Sequence, residues 1–435
     1  MTQNPEPEVP LLEPSLIEKW GGKRFLPPLG GIFLTVSLDL LAFGMFLPDL
    51  QLRGKSLGLV GIQLGLVLSI YSVAQIIASP IMGKLSDTYG RRLILLISSS
   101  VSTIAYLFYA RSGGIDGLAF LILSRIFLGL GGGNLGTAFA YVADITTEKN
   151  RSAGMGLVGA GFGIGFVLGP VFGGVLLAIG HGQPVLLGIV GAILTFLNVL
   201  YILIFLPEPV REKVTASTVN GWKSYKAAFQ NRDLAVLLIM FFALNLGFTN
   251  LESTFFLLLA SHRSVFHLDP NQARTIGSYA LAFVGLISVI MQGFLTKILT
   301  RKFGELKILR VAFFAEACAF IFLPRAPLWI PAILALLVLS ISTGASSPNS
   351  QSLVSKSSPP SMQGSIFGIT QGIGSMARLI GPSLATWLFA INVTLPYDLG
   401  AFLLLVGALI ALTIKPRDFE TSPEMTIAEP AVASL

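Results

Sequence analysis

The feature that most constrains this chain is the length of its uncharged stretches. Block after block runs on with almost no Asp, Glu, Lys or Arg, and a helix of about 20 apolar residues is what spans the hydrocarbon of a bilayer. The blocks are Leu29–Pro48, Ile62–Met82, Leu93–Tyr109, Leu118–Val142, Ala153–Ile179, Val185–Leu206, Leu234–Leu258, Ala273–Leu295, Ile308–Leu323, Leu328–Pro348, Met362–Phe389 and Tyr397–Ile414. They are continuous rather than ten-residue alternations, so they predict helices and not a barrel. Of the 435 residues, 12% are charged and 53% hydrophobic, where an ordinary soluble domain carries roughly 25% charged residues. Such a chain cannot coat a soluble surface of its own size. That excludes a cytosolic enzyme, a secreted disulfide scaffold (Cys318 is the one cysteine) and a disordered protein. The expected fold class is an all-α polytopic membrane protein with twelve transmembrane helices.

The basic residues set the expected orientation. With the N-terminus inside, Lys and Arg divide 21 to 6 in favour of the cytoplasmic loops, and Arg125 and Arg378 inside spans complete the 29 of the chain. That bias predicts both termini in the cytoplasm. The net charge of +7 is spread between apolar blocks and forms no single patch, which argues against a nucleic-acid partner. The N-terminal segment is proline-rich and acidic, unlike a signal peptide. The longest polar interruption, Pro207–Asp233, follows the sixth block. The expected organisation is a disordered tail over 1–26, a six-helix bundle over 27–206, a cytoplasmic linker over 207–233, a second bundle over 234–414 and a tail over 415–435.

The two halves repeat. Gly83-Lys-Leu-Ser-Asp87-Thr-Tyr-Gly90-Arg91-Arg92 follows the second block, and a similar stretch beginning at Gly293 follows the eighth. Gly169-Pro170 in the fifth block has its counterpart, Gly381-Pro382, in the eleventh. The first pair lies 210 residues apart and the second 212. Parallel halves of this kind are a transporter architecture with a substrate site near the midplane between them.

A charge in the hydrocarbon costs at least about 2.5–3.5 kcal/mol, so charged residues inside the blocks need a reason. Asp39, Arg125, Glu316 and Arg378 lie well inside, and Glu252 sits nearer the outer end of the seventh block. A carboxylate whose surroundings change between two states can take up a proton in one and release it in the other. Asp39 is read this way, with Arg125 as its electrostatic counterweight; the alternative is a static ion pair. Arg125 cannot itself give up a proton, so it orients a carboxylate, binds an anion or bonds backbone carbonyls. Glu252 is a second proton site, a cation contact, an outer gate or an interfacial glutamate. Glu316 reads as a structural partner. Arg378 contacts an anionic substrate group, pairs with a carboxylate or is structural. Tyr71, Gln75, Asn134, Asn245, Asn250 and Gln371 are further candidates for substrate contact, or for hydrogen bonds between helices. Gly161, Gly165, Gly169 and Gly173 form a stripe suited to close helix packing, and Pro170 and Pro382 favour kinks.

Other chemistries are absent. Gly131–Gly136 spells a dinucleotide fingerprint but follows no strand. No phosphate-binding lysine loop is present, and the three histidines with one cysteine make no metal site. No cofactor is expected; the energy source would be the proton gradient, and the partners the lipid bilayer, protons and a small-molecule substrate, with a monomer sufficient.

The stretch Gly83–Arg92 resembles the signature loop of the major facilitator superfamily. Leu123-Ser-Arg125-Ile-Phe-Leu-Gly129 is similar to that family's fourth-span arginine motif. Gly163–Gly174 resembles the fifth-span motif of its drug:proton antiporters, and Leu38–Pro48 the first span of tetracycline-efflux-like members. The resemblance implies the major facilitator fold and proton-coupled efflux of small, often lipophilic compounds. A bacterial cytoplasmic (inner) membrane is the simplest address for so compact a chain, with an organellar membrane as the alternative. It implies that Gly83, Asp87, Gly90, Arg91, Arg92 and Asp144 form a conformational latch. In it Asp87 would face the start of the eleventh span, near Met362–Gly364, and Arg91 would reach Asp144. It also implies a part for Arg125 in proton coupling. The rival expectations are a uniporter or symporter for an organic anion or metabolite, and a receptor that binds without transport.

Overall fold

The structure is a computed structural model, and it describes residues 28–146, 148–209, 230–262, 264, 266–357 and 363–414. The two tails and most of the linker expected over 207–233 lie outside the described residues.

Helix α1, Pro28–Met45, starts on a proline, whose fixed φ suits a first helical turn. It stops before Phe46, because Pro48 has no N–H for the next turn of backbone bonds. The chain re-enters a helix at once as α2, Leu47–Ser56. Unlike the rest of its block, α2 is polar and buried: Asp49, Gln51 and Arg53 are all shielded. α3, Ile62–Tyr89, runs through most of the stretch expected as a loop. Gly90 alone makes the joint, at φ 111°, and α4, Arg91–Ala110, follows directly. A side chain at Gly90 would meet the Glu208 carboxylate at 2.8 Å as well as the positive φ.

The fourth block is not one continuous α-helix. α5, Gly117–Gly131, passes through a 3-10 turn, Gly132–Asn134, into α6, Leu135–Ile145. Three successive glycines weaken the α-helix here. Then come α7, Glu148–Ile179, and α8, Pro184–Phe205. α9, Arg232–Leu259, is capped by the Asn231 side chain, and α10, Pro270–Ile290, by Asp269. A π turn leads into α11, Thr296–Phe303. α12, Glu305–Phe322, α13, Trp329–Lys356, α14, Gln363–Ile391, and α15, Leu395–Ala411, complete the chain.

Eight of the described helical segments are long and apolar enough to cross a membrane, and two shorter ones, Gly163–Ile179 and Leu395–Ala411, are apolar too. Large side chains such as Ile77, Phe196, Ile204, Val311, Phe322 and Leu409 stand exposed, which in water would be an aggregation surface and in lipid is the ordinary outer face. The chain is an integral, multi-pass membrane protein.

The helices before residue 206 pack mainly on one another: α1 on α7 and α8, α4 on α5 and α8, α3 on α5. Those after 231 do likewise: α9 on α14 and α15, α12 on α13 and α15, α10 on α13. Two seams join the groups, α7 against α10 and α3 against α14, with α2 reaching α9 and α10. The glycine stripe of α7 lies on α1. A Cβ on Gly169 would stand 2.7 Å from the Cα of Gly44, and one on Gly165 2.7 Å from the Leu40 backbone. Gly173 meets the Met45 carbonyl and is equally closed to a side chain. Pro170 and Pro382 lie within α7 and α14 without ending either helix. Gly381 in α14 is packed on Thr249 of α9, which a Cβ would approach to 2.5 Å.

Candidate functional site

Four polar clusters sit in or beside the seams. The first surrounds Asp39, midway along α1. Asn134 Nδ2 donates to Asp39 Oδ2 at 2.9 Å, and Asn198 Nδ2 to Oδ1 at 3.0 Å, with Ser99 Oγ at 3.5 Å. The 3-10 turn after the glycines presents Asn134. Asn198 comes from α8, fully buried, and also reaches the Thr35 carbonyl at 3.2 Å. All three partners are neutral. An amide or hydroxyl can donate to a carboxylate or, after rotation, accept from a carboxylic acid. The pocket beside them holds about 50 Å³ and is lined by Asp39, Phe43, Tyr71, Tyr106 and Asn134 among others, room enough for water.

Arg125 belongs to a second cluster. Its Nη2 donates to the Leu68 carbonyl at 2.9 Å, and its guanidinium carbon stands 4.9 Å from the centre of the Tyr71 ring, a cation–π contact. Gln75 donates to the Tyr71 hydroxyl at 3.1 Å and to the Gly132 carbonyl at 2.9 Å. Across the seam, Ser72 Oγ donates to the Arg378 carbonyl at 3.0 Å. The charges of Arg125, Arg378 and Glu252 all act on Tyr71. Asn245 donates into its own helix, to Phe241 O at 2.8 Å. Asn250 is fully buried and ties α9 to the Pro396 carbonyl at 3.2 Å, inside the second group of helices. The side chain of Gln371 lies outside those described.

The third cluster closes one end of the seam and was not singled out from sequence. Asp49 of α2 is wholly buried. Arg274 of α10 reaches its Oδ1 at 2.8 Å, Arg53 its Oδ2 at 3.2 Å, and the Tyr109 hydroxyl donates to Oδ2 at 2.9 Å. Arg53 also bonds the Gly182 carbonyl, and Gln51 the backbone oxygen of Glu252. Arg274 is held in turn by Asn271 at 2.9 Å. In the α3–α14 seam, Ser69 and Ser383 face each other at 3.2 Å. In sequence, Asp49 closes an apolar block and Arg274 opens one, positions that read as interface.

The fourth cluster lies at the other end, around Gly83–Arg92. Arg91 Nε is 3.0 Å from Asp144, and its Nη1 is 2.6 Å from Asp87 and from Ser86 Oγ. Arg92 bonds the carbonyls of Ile202 and Leu203. Glu208, unremarked in sequence, accepts from the backbone N–H groups of Arg91 and Arg92 at 2.6 and 2.9 Å. A carboxylate there satisfies orphan donors and faces the positive end of α4. A side chain at Gly83 would meet nothing within 4 Å. The expected neighbour of Asp87 near Met362–Gly364 falls outside the described side chains. Glu316 stands apart, buried between α12 and α13, with Thr343 at 3.2 Å and Ser346 at 3.3 Å.

Buried charges placed along a seam between two groups of lipid-facing helices can move a solute, and they fit no hydrolytic or redox chemistry. The comparisons agree. The Escherichia coli tetracycline resistance protein of class C is 28% identical over 383 residues, 86% of this chain and 93% of that protein. The multidrug resistance protein 1 of Bacillus subtilis is 25% identical, over 88% of this chain and 95% of its own. Among solved structures, a human organic anion transporter superposes with a TM-score of 0.65 at 22% identity, covering 89% of this chain and all of that one. The nucleoside transporter NupG gives 0.67 at 14%, over 89% and 98%. The family model described as Major Facilitator Superfamily matches residues 32–382, and the chain belongs to that superfamily of transporters, which are not enzymes.

Proposed function

We propose that the protein is a proton-coupled efflux transporter that works by alternating access. In this reading the chain crosses a bacterial inner membrane twelve times, as two six-helix halves with cytoplasmic termini. It functions as a monomer and exports small, often lipophilic organic compounds. The relatives named for tetracycline and multidrug resistance support the direction and the substrate range.

One observation carries the proton coupling. Asp39 lies in the membrane interior beside a small polar pocket and is held only by neutral donors among its described partners. None of those described partners is a cation that would fix it in one charge state, and each can serve both states. Tyr71 lines that pocket and also carries Arg125 over its ring, so proton site and seam share a wall. The Asp49–Arg53–Arg274 cluster is the outer gate and the Gly83–Arg92 cluster the cytoplasmic latch. Opening to the outside must pull Arg274 away from Asp49.

Reconstituted protein tests this. With tetracycline as the first probe and a panel of lipophilic cations, anions and sugars behind it, substrate addition should release protons, and Asp39→Asn should abolish the release while leaving binding. Counterflow with no proton signal in the wild type would replace the antiporter by a facilitator. Binding with no flux at all would make it a receptor.

A further inference from the structure

The middle of the seam carries more positive charge than a site for lipophilic cations would. From sequence the expected substrate is a small, often lipophilic compound, with an organic anion or metabolite as the rival expectation and Arg378 as a candidate contact for an anionic group. We propose that the protein takes, at the middle of the seam, an amphipathic organic acid whose anionic group is held between the guanidinium groups of Arg125 and Arg378 above the Tyr71 ring. This rests on the transport reading and adds the substrate class.

Three observations carry it. Between the Asp49 cluster and the middle of the seam, the described charges are four arginines, Arg53, Arg125, Arg274 and Arg378, against two carboxylates, Asp49 and Glu252. Two further carboxylates within the helices, the half-buried Asp39 and the buried Glu316, are each bonded by neutral groups within their own set of helices. At the gate Asp49 is bonded to both of its arginines, but in the middle neither arginine has a carboxylate at bonding distance among the described ion pairs. Glu252 acts on both only from a distance.

Second, the arginines have donors to spare. Arg125 is 6% exposed, its Nε is buried with no partner, and its one described hydrogen bond uses Nη2. The side chain of Arg378 has one described bond, at 3.3 Å to Ser375 in its own turn. The buried, unpartnered Nε of Arg125 is a cost that a ligand would relieve, and the half-buried Arg378 has donors free to join it. Two planar forks suit the oxygens of a carboxylate or sulfonate.

Third, the two arginines converge. Ser72 fixes the Arg378 backbone to α3 one residue after Tyr71, and the Tyr71 ring carries Arg125. Beside them Gly374 has no side chain. A Cβ there would lie 3.6 Å from Arg378 Nη1, 3.4 Å from Asn245 Oδ1 and 3.7 Å from the Phe241 ring. On the other side the Phe43 ring is 5.3 Å from that of Tyr71. Aromatic walls around a pair of cations suit an aryl acid. A lipophilic cation would face two guanidinium groups with one carboxylate to balance them.

The test is equilibrium binding of labelled naphthaleneacetate to the purified full-length protein, with its methyl ester and naphthylmethylamine as neutral and cationic competitors. The acid should bind saturably and neither competitor should displace it. Arg125→Gln and Arg378→Gln should each weaken binding by about tenfold or more, the worth of one charge-assisted hydrogen bond, and Arg378→Lys should recover part of the loss. Glu252→Gln removes the opposing charge and should tighten binding, a gain that a misfolded variant cannot mimic. Equal displacement by ester or amine, or arginine variants that bind like the wild type, would overturn the proposal. In the same liposomes, proton-coupled movement of tetracycline or a lipophilic cation without movement of the acid would overturn it alone. Movement of nothing would remove the transport reading as well.

Discussion

At the scale of single residues, the buried charges divide into those visible in sequence and those visible only by their partners. Asp39, Arg125 and Arg378 stand out because a lone charge in an apolar block has few explanations. Asn198 does not, because an asparagine in a transmembrane helix is an ordinary interhelical bond until Asp39 is seen beside it. It is wholly buried and serves the Thr35 carbonyl, Asp39 and Ser99 at once. Replacing it by leucine would leave those groups short of a donor, at about 1–3 kcal/mol for a buried unsatisfied group. Asn198→Leu should therefore unfold in detergent at a clearly lower temperature than the wild type. Asn250→Leu removes a single described bond to the Pro396 carbonyl and should cost less. Equal melting temperatures for the wild type and Asn198→Leu would mean that Asn134 and water suffice to hold Asp39. Asp49 escaped notice for a different reason: its two arginine partners are four and 225 residues away, and only the tertiary fold brings the second to it.

At the scale of elements, apolar block length made the helices legible, but it did not show where they break. The first block divides at Phe46 because of Pro48, and the fourth at Gly132–Asn134 because three glycines precede the asparagine. Both breaks place polar groups: one turns α2 inward with the buried Asp49 and Arg53, the other presents Asn134 to Asp39. The α7 stripe was read as close packing, yet spacing alone could not say which helix it meets. That helix is α1, and the approach is backbone to backbone. A side chain on Gly169 would meet the Gly44 Cα at 2.7 Å, an atom that cannot rotate away. Gly136, also helical, has nothing within 4 Å of such a side chain. Gly169→Leu should thus destabilise by about 1–3 kcal/mol or more, the cost of overpacking, while Gly136→Ala should be neutral or gain up to about 1 kcal/mol of helix propensity. Thermal unfolding of the two variants side by side measures the contrast. A tolerated Gly169→Leu would show that α1 and α7 can separate, and that their close approach is not needed for stability.

At the scale of the whole molecule, the α2 end of the seam is held by one carboxylate shared between two arginines, and in the proposed outer gate that sharing is what would let the contact break. Asp49 bonded to Arg53 alone would be a pair within α2. The added contact to Arg274 bridges the two groups of helices, and losing it leaves Arg53 behind as a partner, so the carboxylate is not stranded when the seam opens. Removing Asp49 has the opposite effect: it leaves two buried guanidinium groups side by side, and breaking a buried pair in this way costs about 3–5 kcal/mol. In the proposed gate Arg274 leaves Asp49 on opening, so that cost weighs on the closed state. Asp49→Asn should therefore shift the population towards the open gate. The α3–α14 seam offers a readout, since Ser69 and Ser383 face each other across it at 3.2 Å and Cys318 is the one native cysteine. In a Cys318→Ala background, the double substitution Ser69→Cys and Ser383→Cys should cross-link under mild oxidation and stop transport until a reductant is added. Adding Asp49→Asn should slow that cross-linking several-fold without abolishing it. An unchanged rate would mean that the helix packing of α3 on α14 holds the gate shut and that the ion cluster only decorates it. Transport that survives the cross-link would mean that the seam does not open there at all.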